Sequence, residues 1–156
     1  MPQDIKLTKN FSLNELLESQ TARRFGIAEQ FNPSQEVIKN LKALCENILQ
    51  PLRDNLRIAI AVNSGYRCPA LNKKIGGSLT SQHMTGHAAD IECYPIGNEK
   101  LLKKIVESKL PFDQIINEFN YAWVHVSYDP ARNRRKVLEA FKDSNNKTQY
   151  REIVIS

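Results

Sequence analysis

The segment SQHMTGHAADIEC, residues 81–93, contains two of the three histidines of this 156-residue chain, together with a glycine and an aspartate. His83 and Asp90 lie on either side of Gly86, a residue that disfavours a helix interior. The third histidine, His125, lies in WVHVSY, whose alternation of apolar and polar residues is typical of a β-strand. The pattern predicts three metal ligands, His83, Asp90 and His125, supplied from two strands.

Two imidazoles and one carboxylate are a donor set that suits zinc. Zn²⁺ binds imidazole nitrogen and carboxylate oxygen at ~2.0–2.2 Å, and a catalytic site keeps three protein ligands and a fourth position for water. An ion held in this way lowers the pKa of water towards ~7 and polarises a carbonyl oxygen. The sequence therefore predicts one zinc ion and hydrolytic chemistry. The alternative is a hydrogen-bonded histidine–aspartate pair without a metal.

A helical zincin site is a second arrangement open to His83 and His87, which are spaced i, i+4. That motif requires a general-base glutamate directly after the first histidine, and this chain has Met84 there. Gly86 also disfavours the helix that the motif needs. We therefore reject the pairing of His83 with His87.

The spacing Ser81-x-His83-x-x-Gly86-x-Ala88-x-Asp90 resembles the SxHxxGxAxD signature of the zinc D-Ala-D-Ala carboxypeptidase family. That family includes phage L-alanyl-D-glutamate endopeptidases. WVHVSY is similar to the family's second block, whose histidine is the third zinc ligand. The resemblance implies a peptidase that acts on peptidoglycan.

The segment SGYRCPALN, residues 64–72, resembles an upstream block of the same family, in which an arginine meets the substrate carboxylate. Arg67 takes that position, and its planar guanidinium can hold a carboxylate in a bidentate pair. A surface salt bridge is the alternative for Arg67. Ser81 resembles the family's serine before the first zinc ligand and would hydrogen-bond the substrate or a ligand, or else cap a turn.

The general base is the point at which this chain departs from the family pattern. In many relatives it is an acid three residues before the last zinc histidine, and here Ala122 occupies that position. Glu118 is our candidate instead. A two-residue hairpin turn would pair Glu118 with Trp123 and place it on the same face as His125.

A three-residue hairpin loop would reverse that outcome. It would pair Phe119 with Trp123 and turn Glu118 away from the metal, which leaves His87 or Asp113 as poorer substitutes. A glutamate that faces solvent without a catalytic role is the remaining alternative for this position.

Length and composition indicate one domain over residues 1–156, with a core at roughly 10–150, because 41% hydrophobic and 25% charged residues are ordinary globular usage. A net charge of +5 favours acidic partners such as nucleic acid, an anionic membrane or an anionic cell-wall polymer. One basic cluster stands out, formed by Arg132, Arg134, Arg135 and Lys136. It is interpreted as a solvated loop, and without a nucleic-acid-binding motif we expect no nucleic-acid partner.

The N-terminal sequence MPQDIKLTKN shows no signal-peptide pattern, and no apolar stretch is long enough to span a membrane. Cys45, Cys68 and Cys93 lack a CxxC spacing and do not suggest a disulfide framework. We expect synthesis in the cytoplasm, action on the cell wall after a phage-type release by lysis, and a monomeric protein.

Hydrophobic periodicity and capping residues predict helices over residues 12–24, 34–50 and 98–110. The predicted caps are Ser12 for the first helix, Asn32 or Ser34 for the second and Asn98 for the third. Alternation predicts strands over residues 57–67, 91–93, 112–119 and 122–129, and one or two more joined at 143–147. Glycines predict a mobile loop over 69–80. The predicted fold is α+β, with helices packed on a mainly antiparallel sheet, similar to hedgehog and D-Ala-D-Ala peptidases, and with zinc on the open face of the sheet.

The function predicted from these features is zinc-dependent hydrolysis of a peptide bond in peptidoglycan stem or cross-bridge peptides. Glu118 would be the base, Arg67 and Ser81 would bind the substrate, and the cleavage would be of the D,D-carboxypeptidase or L,D-endopeptidase type. The alternative is a catalytically impaired, zinc-containing module that binds the cell wall or a virion partner, because Ala122 replaces the usual acid.

Overall fold

The computed structural model describes residues 3–155 as an α+β fold; Met1, Pro2 and Ser156, the ends of the predicted domain, lie outside the described residues. The helices are α1 (Leu13–Leu17), α2 (Gln20–Arg24), α3 (Gln35–Leu44), α4 (Gln50–Leu56), α5 (Pro69–Lys74) and α6 (Asn98–Glu107). The 3₁₀ turns are Ala28–Phe31 and Gln82–Thr85, and a π-helical turn covers Cys45–Leu49. The strands are β1 (Ala61–Ser64), β2 (Ala88–Glu92), β3 (Gln114–Glu118), β4 (Trp123–Ser127), β5 (Lys136–Lys142) and β6 (Thr148–Glu152).

The six strands form one mixed sheet in the order β1-β2-β4-β3-β5-β6. β3 and β5 are parallel, and the other four pairings are antiparallel. One row of directly opposed residues crosses the whole sheet: Ser64, Asp90, His125, Ile116, Leu138 and Glu152. Opposed residues in a sheet share a face, and we call the face that carries this row the site face.

The other face of the sheet belongs to the hydrophobic core. Its strand residues share one buried cluster with apolar side chains of the helices: Ala89, Ile91, Ile115, Val124 and Val126 from the sheet, with Leu41, Leu52, Leu101 and Ile105 from α3, α4 and α6. Burial of each large side chain stabilises the fold by roughly 1.5–3 kcal/mol. The alternation along β2 and β4 therefore directs apolar residues into the core and leaves the polar ones on the site face.

The sequence predicts one helix over residues 12–24, and this prediction was wrong, because the segment forms two short helices, α1 and α2. Ser12 caps α1 as predicted, accepting a hydrogen bond from a first-turn N–H at 3.3 Å. The chain is extended at Glu18, with ψ of 133°, and the Ser19 hydroxyl accepts from the Ala22 N–H at 3.1 Å. This second N-cap begins α2.

The helix predicted over residues 34–50 does not end at Pro51. Of the two predicted caps, Asn32 and Ser34, it is Ser34 that caps the helix, and the chain then passes through the π-helical turn and continues as α4. Pro51 lies in the first turn of α4, where its missing N–H is tolerated because the wide π turn has already interrupted the α-helical hydrogen bonds. α4 ends at Leu56, and the next residue, Arg57, caps it with a φ of 56°.

Other boundaries also differ from the predictions. The strand predicted over 57–67 is reduced to β1, because Arg57 caps α4 in a left-handed conformation and the chain becomes extended only later, and the loop predicted over 69–80 begins with α5. The strand predicted over 91–93 starts earlier as β2, and the helix predicted over 98–110 is the shorter α6. Strands on either side of 143–147 are confirmed as β5 and β6.

Candidate metal centre

The three predicted ligands meet where β2, β4 and the turn before β2 come together. Asp90 on β2 lies directly opposite His125 on β4. His83 comes from a 3₁₀ turn rather than from a strand. Oδ1 of Asp90 lies 3.2 Å from Nε2 of His83 and 3.3 Å from Nδ1 of His125. The ligand atoms of the three residues all lie within 4.8 Å of one another, so the group could hold a metal ion.

Two glycines fix the position of His83. Its Nδ1 lies 2.7 Å from the carbonyl oxygen of Gly65, and donation to that oxygen leaves the Nε2 lone pair free to face Asp90. Gly86 ends the turn with a φ of +79°, and a Cβ there would lie 2.8 Å from the carbonyl oxygen of Val37. The glycine of the sequence pattern is therefore required by backbone conformation and by its contact with α3.

The electrostatics of the group fit a bound cation. Burial raises the pKa of Asp90, but the neighbouring His83 and His125 outweigh this effect and hold the pKa well below its usual range. Within residues 3–155, Oδ1 of Asp90 is buried without a hydrogen-bond partner. Buried polar atoms are normally satisfied, and a carboxylate between two imidazoles is a donor set that divalent transition metals accept.

Glu118 lies on the site face of β3. It pairs with Trp123, and Ile116 pairs with His125, which is the register predicted for a two-residue turn. The loop between the strands is longer than predicted, at residues 119–122, and three of these residues have positive φ. The left-handed loop thus preserves the pairing that directs Glu118 towards the His125 side of the sheet.

The environment of Glu118 suits proton transfer near neutral pH. Only 8% of the residue is exposed. Burial raises the pKa of Glu118 to about 7; the charge of Asp90 also raises it, whereas His125 and Arg67 lower it. A carboxyl group whose pKa is close to the ambient pH can both accept and return a proton.

Arg67 and Ser81 contact each other beside the metal ligands. Nη2 of Arg67 donates to Oγ of Ser81 at 3.1 Å, and the backbone N–H of Arg67 donates to the carbonyl oxygen of His83 at 3.0 Å. Oγ of Ser81 also accepts from the His83 N–H at 3.2 Å, so this serine caps the turn. Nε of Arg67 is buried and has no hydrogen-bond partner within residues 3–155, so the donor capacity of the guanidinium is not exhausted by Ser81.

A pocket of about 390 Å³ adjoins the centre on the β1 side. Arg67 lines it together with Ser64, the residue opposite Asp90. The rest of its wall comes from the junction of α1 with α2 and from α5, including Ser19, Thr21 and Leu71. Arg67 is therefore shared by this pocket and by the surroundings of the metal ligands.

Asp113 has a role that the sequence interpretation missed. It is fully buried and accepts hydrogen bonds from Nε2 of Gln82 at 2.8 Å and from Nε and Nη2 of Arg134 at 2.8 and 3.0 Å. Burial raises the pKa of Asp113, but these partners lower it below its usual range. Through Asp113, Arg134 of the basic cluster is therefore linked to the turn that carries His83, which differs from the solvated loop that was predicted. The carboxylate of Asp113 is engaged in these hydrogen bonds.

The other residues considered as ligands or bases lie outside the group. Nδ1 of His87 lies 2.6 Å from Oγ1 of Thr85. Sγ of Cys93 is buried and donates to the carbonyl oxygen of Ala59 at 3.7 Å. In the described part of the chain, the group at the centre contains three ligand residues.

Fold and site together define an α+β domain with a buried three-ligand candidate metal centre on one face of a mixed sheet. A family model described as Peptidase M15 matches residues 9–127. The chain belongs to this peptidase family, which confirms the resemblance to the zinc D-Ala-D-Ala carboxypeptidases. No curated protein matches the chain. Between residues 3 and 155, the helices are too short or too polar to cross a membrane.

Proposed function

We propose that the protein is a zinc-dependent metallopeptidase that hydrolyses a peptide bond in peptidoglycan stem or cross-bridge peptides, with D,D-carboxypeptidase or L,D-endopeptidase specificity. The observation that carries this proposal is the convergence of His83, Asp90 and His125 on one face of the sheet with Glu118 beside them. Membership of the Peptidase M15 family supports the same conclusion.

The zinc-binding residues would be His83 through Nε2, His125 through Nδ1, and the carboxylate of Asp90. When bound there, zinc supplies a Lewis acid that lowers the pKa of water and polarises the substrate carbonyl. The hydrogen bond from His83 to Gly65 keeps the imidazole in the tautomer that can act as a ligand.

Glu118 moves the protons of the reaction. Its carboxylate takes a proton from the attacking water and returns it to the nitrogen of the leaving amine. Burial favours the protonated form of this carboxyl group and makes its carboxylate a stronger base than one in water, which suits both transfers. In many relatives the general base occupies the position of Ala122. In this chain Glu118, on β3, would act as the base instead.

Arg67 orients the substrate. Its guanidinium is held by Ser81, and the residue lines the adjoining pocket. A carboxylate of the peptide can pair with this group, which would fix the scissile bond over the ligands. Ser81 acts through Arg67 and through the turn that it caps.

Release of new amino and carboxyl termini from purified peptidoglycan by the zinc-loaded protein tests the proposal. We expect Glu118→Gln to keep zinc and to lose about 10²–10⁴-fold in rate, whereas His125→Ala loses zinc. Glu36→Gln, an exposed change on α3, is the matched control and should cleave like the wild type.

The second candidate function is a non-catalytic module that binds the cell wall, and Ala122 favours it. A structural zinc site is normally closed by a fourth protein ligand, whereas the group here has three in the described residues. Stoichiometric zinc binding without cleavage of walls from several chemotypes would establish this second function and overturn the first.

A further inference from the structure

Tyr150 lies on the site face, two strands away from Glu118. It is opposite Ala140 on β5, and Ala140 is opposite Glu118 on β3. Because neighbouring strands lie ~4.8 Å apart, the backbones of Tyr150 and Glu118 are separated by ~10 Å. Long side chains on the two flanking strands can approach each other over the strand between them.

The residue between them leaves room for this approach. Ala140 has the smallest side chain that can occupy the position, and it is only 2% exposed. Tyr150 itself is 53% exposed. Its ring is therefore next to the covered part of the site face and remains accessible to a ligand.

The charges of the centre act on the phenol. Burial raises the pKa of Tyr150, the charges of Glu118 and Asp90 raise it further, and Arg67 lowers it. The hydroxyl is therefore close enough to sense the candidate base, a candidate metal ligand and the candidate carboxylate-binding arginine. It stays protonated at neutral pH, and a protonated phenol is a hydrogen-bond donor.

Tyr150 comes from a part of the chain that the family match does not include. The match ends at residue 127, at the end of β4, whereas β5 and β6 follow it. These two strands extend the sheet beyond β3 and bring an additional side chain to the site face. The pocket beside Arg67 lies at the opposite, β1, end of the sheet.

We propose that Tyr150 is a substrate-binding residue whose hydroxyl donates a hydrogen bond to an oxygen of the peptide bound over the site face. This inference rests on the proposed peptidase function. Arg67 would then hold a carboxylate of the bound peptide, and Tyr150 would hold an oxygen acceptor of the same peptide.

Tyr150→Phe removes the hydroxyl and keeps the ring. Kinetics on a soluble peptidoglycan stem peptide should show KM raised about 3- to 10-fold, the worth of one hydrogen bond, with kcat changed by less than about twofold. Tyr94→Phe removes the hydroxyl of another exposed tyrosine, 71% exposed, and is the matched control. Zinc content and melting temperature should stay unchanged in both variants.

Calorimetric binding of the same peptide provides a readout that does not depend on turnover. Zinc-loaded Glu118→Gln should bind it about 3- to 10-fold more tightly than the double variant Glu118→Gln/Tyr150→Phe. Equal affinities, or a KM equal to that of the wild type, would overturn the role of Tyr150 while cleavage by the wild type keeps the peptidase function. If the wild type binds without cleaving, the affinities still decide the role of Tyr150; if it neither binds nor cleaves, both proposals fail.

Discussion

Gly86 connects the sequence pattern to the geometry of the centre at the scale of a single residue. We predict that Gly86→Ala destabilises the protein by about 2–4 kcal/mol, because a φ of +79° is unfavourable for alanine and the new Cβ would lie 2.8 Å from the Val37 carbonyl oxygen. Urea denaturation measures the loss, and zinc affinity should fall because the turn that carries His83 must move.

Gly26→Ala is the control that separates the two causes. Gly26 also has a positive φ, +65°, but a Cβ there would have no atom within 4 Å. We expect this variant to lose only about 1 kcal/mol, the conformational cost alone, and to keep its zinc affinity. Equal losses for the two variants would show that the contact with α3 is unimportant.

Glu118 gives the metal-free protein a pH dependence whose sign follows from its pKa. The folded-state pKa of about 7 lies above the usual 4.5, so the folded state binds the proton more tightly than the unfolded state does. The stability contributed by this proton is complete below about pH 4.5 and is lost as the pH rises to about 7.

Glu118→Gln removes this titration. We predict that the stability of the metal-free wild type, measured relative to that of Glu118→Gln, falls by on the order of 1–3 kcal/mol between pH 4.5 and pH 8. Chemical denaturation of both proteins in the presence of a chelator measures the difference. For the exposed change Glu36→Gln, the difference in stability from the wild type should not vary with pH over the same range. A difference that does not vary with pH for Glu118→Gln would contradict the burial of the Glu118 carboxyl group.

At the scale of elements, Asp113 connects the start of β3, the 129–135 loop and the turn that carries His83. Asp113→Ala leaves the guanidinium of Arg134 and the amide of Gln82 without their acceptor. We predict a loss of about 2–4 kcal/mol, somewhat less than for a fully buried pair because Arg134 is partly exposed. Differential scanning calorimetry measures this loss of stability. Zinc affinity should also fall, since Gln82 directly precedes His83, and a zinc titration measures that effect.

Arg132→Ala is the control for Asp113→Ala. Arg132 is 55% exposed at the side chain and lies 3.8 Å from the same carboxylate. We expect a loss of less than about 1 kcal/mol, as for other exposed ion pairs. A large loss in this variant would mean that the whole basic cluster, and not Arg134 alone, fastens the loop.

The sequence predicted those elements whose causes are local. Ser12 and Ser34 cap helices as expected, because capping depends on residues within one turn. The division of the first helix at Ser19 was missed, because two residues that can cap a helix, Ser12 and Ser19, lie close together. The continuation of the second helix through Pro51 was missed, because the π turn depends on packing that no local sequence pattern records.

The same distinction applies to the candidate site. His83, Asp90 and His125 could be predicted because their spacing carries a signature. The pairing of Glu118 with Trp123 was predicted correctly, although the loop has four residues and not the two from which the pairing was argued. Tyr150 could not be predicted, because its position depends on the parallel pairing of β3 with β5, which joins distant segments. Asp113 was misjudged for the same reason, since its partners are distant in sequence.

The whole molecule places its candidate metal centre between elements that a bound ion would join. His83 precedes β2 on a turn packed against α3, Asp90 lies in β2, and His125 lies in β4. An ion that binds only the folded arrangement stabilises the whole fold by mass action. The size of this effect depends on the free zinc concentration relative to the dissociation constant.

We therefore predict that zinc at about 1,000 times its dissociation constant raises the free energy of unfolding by about 4 kcal/mol, which for a chain of this size is a rise in melting temperature of about 8–16 °C. Calorimetry with zinc and with a chelator measures this shift. Glu118→Gln should retain it, because its carboxyl is not a ligand in this arrangement, whereas His125→Ala should abolish it. A zinc-induced shift that survives in His125→Ala would place the ion elsewhere and remove the basis of the proposed chemistry.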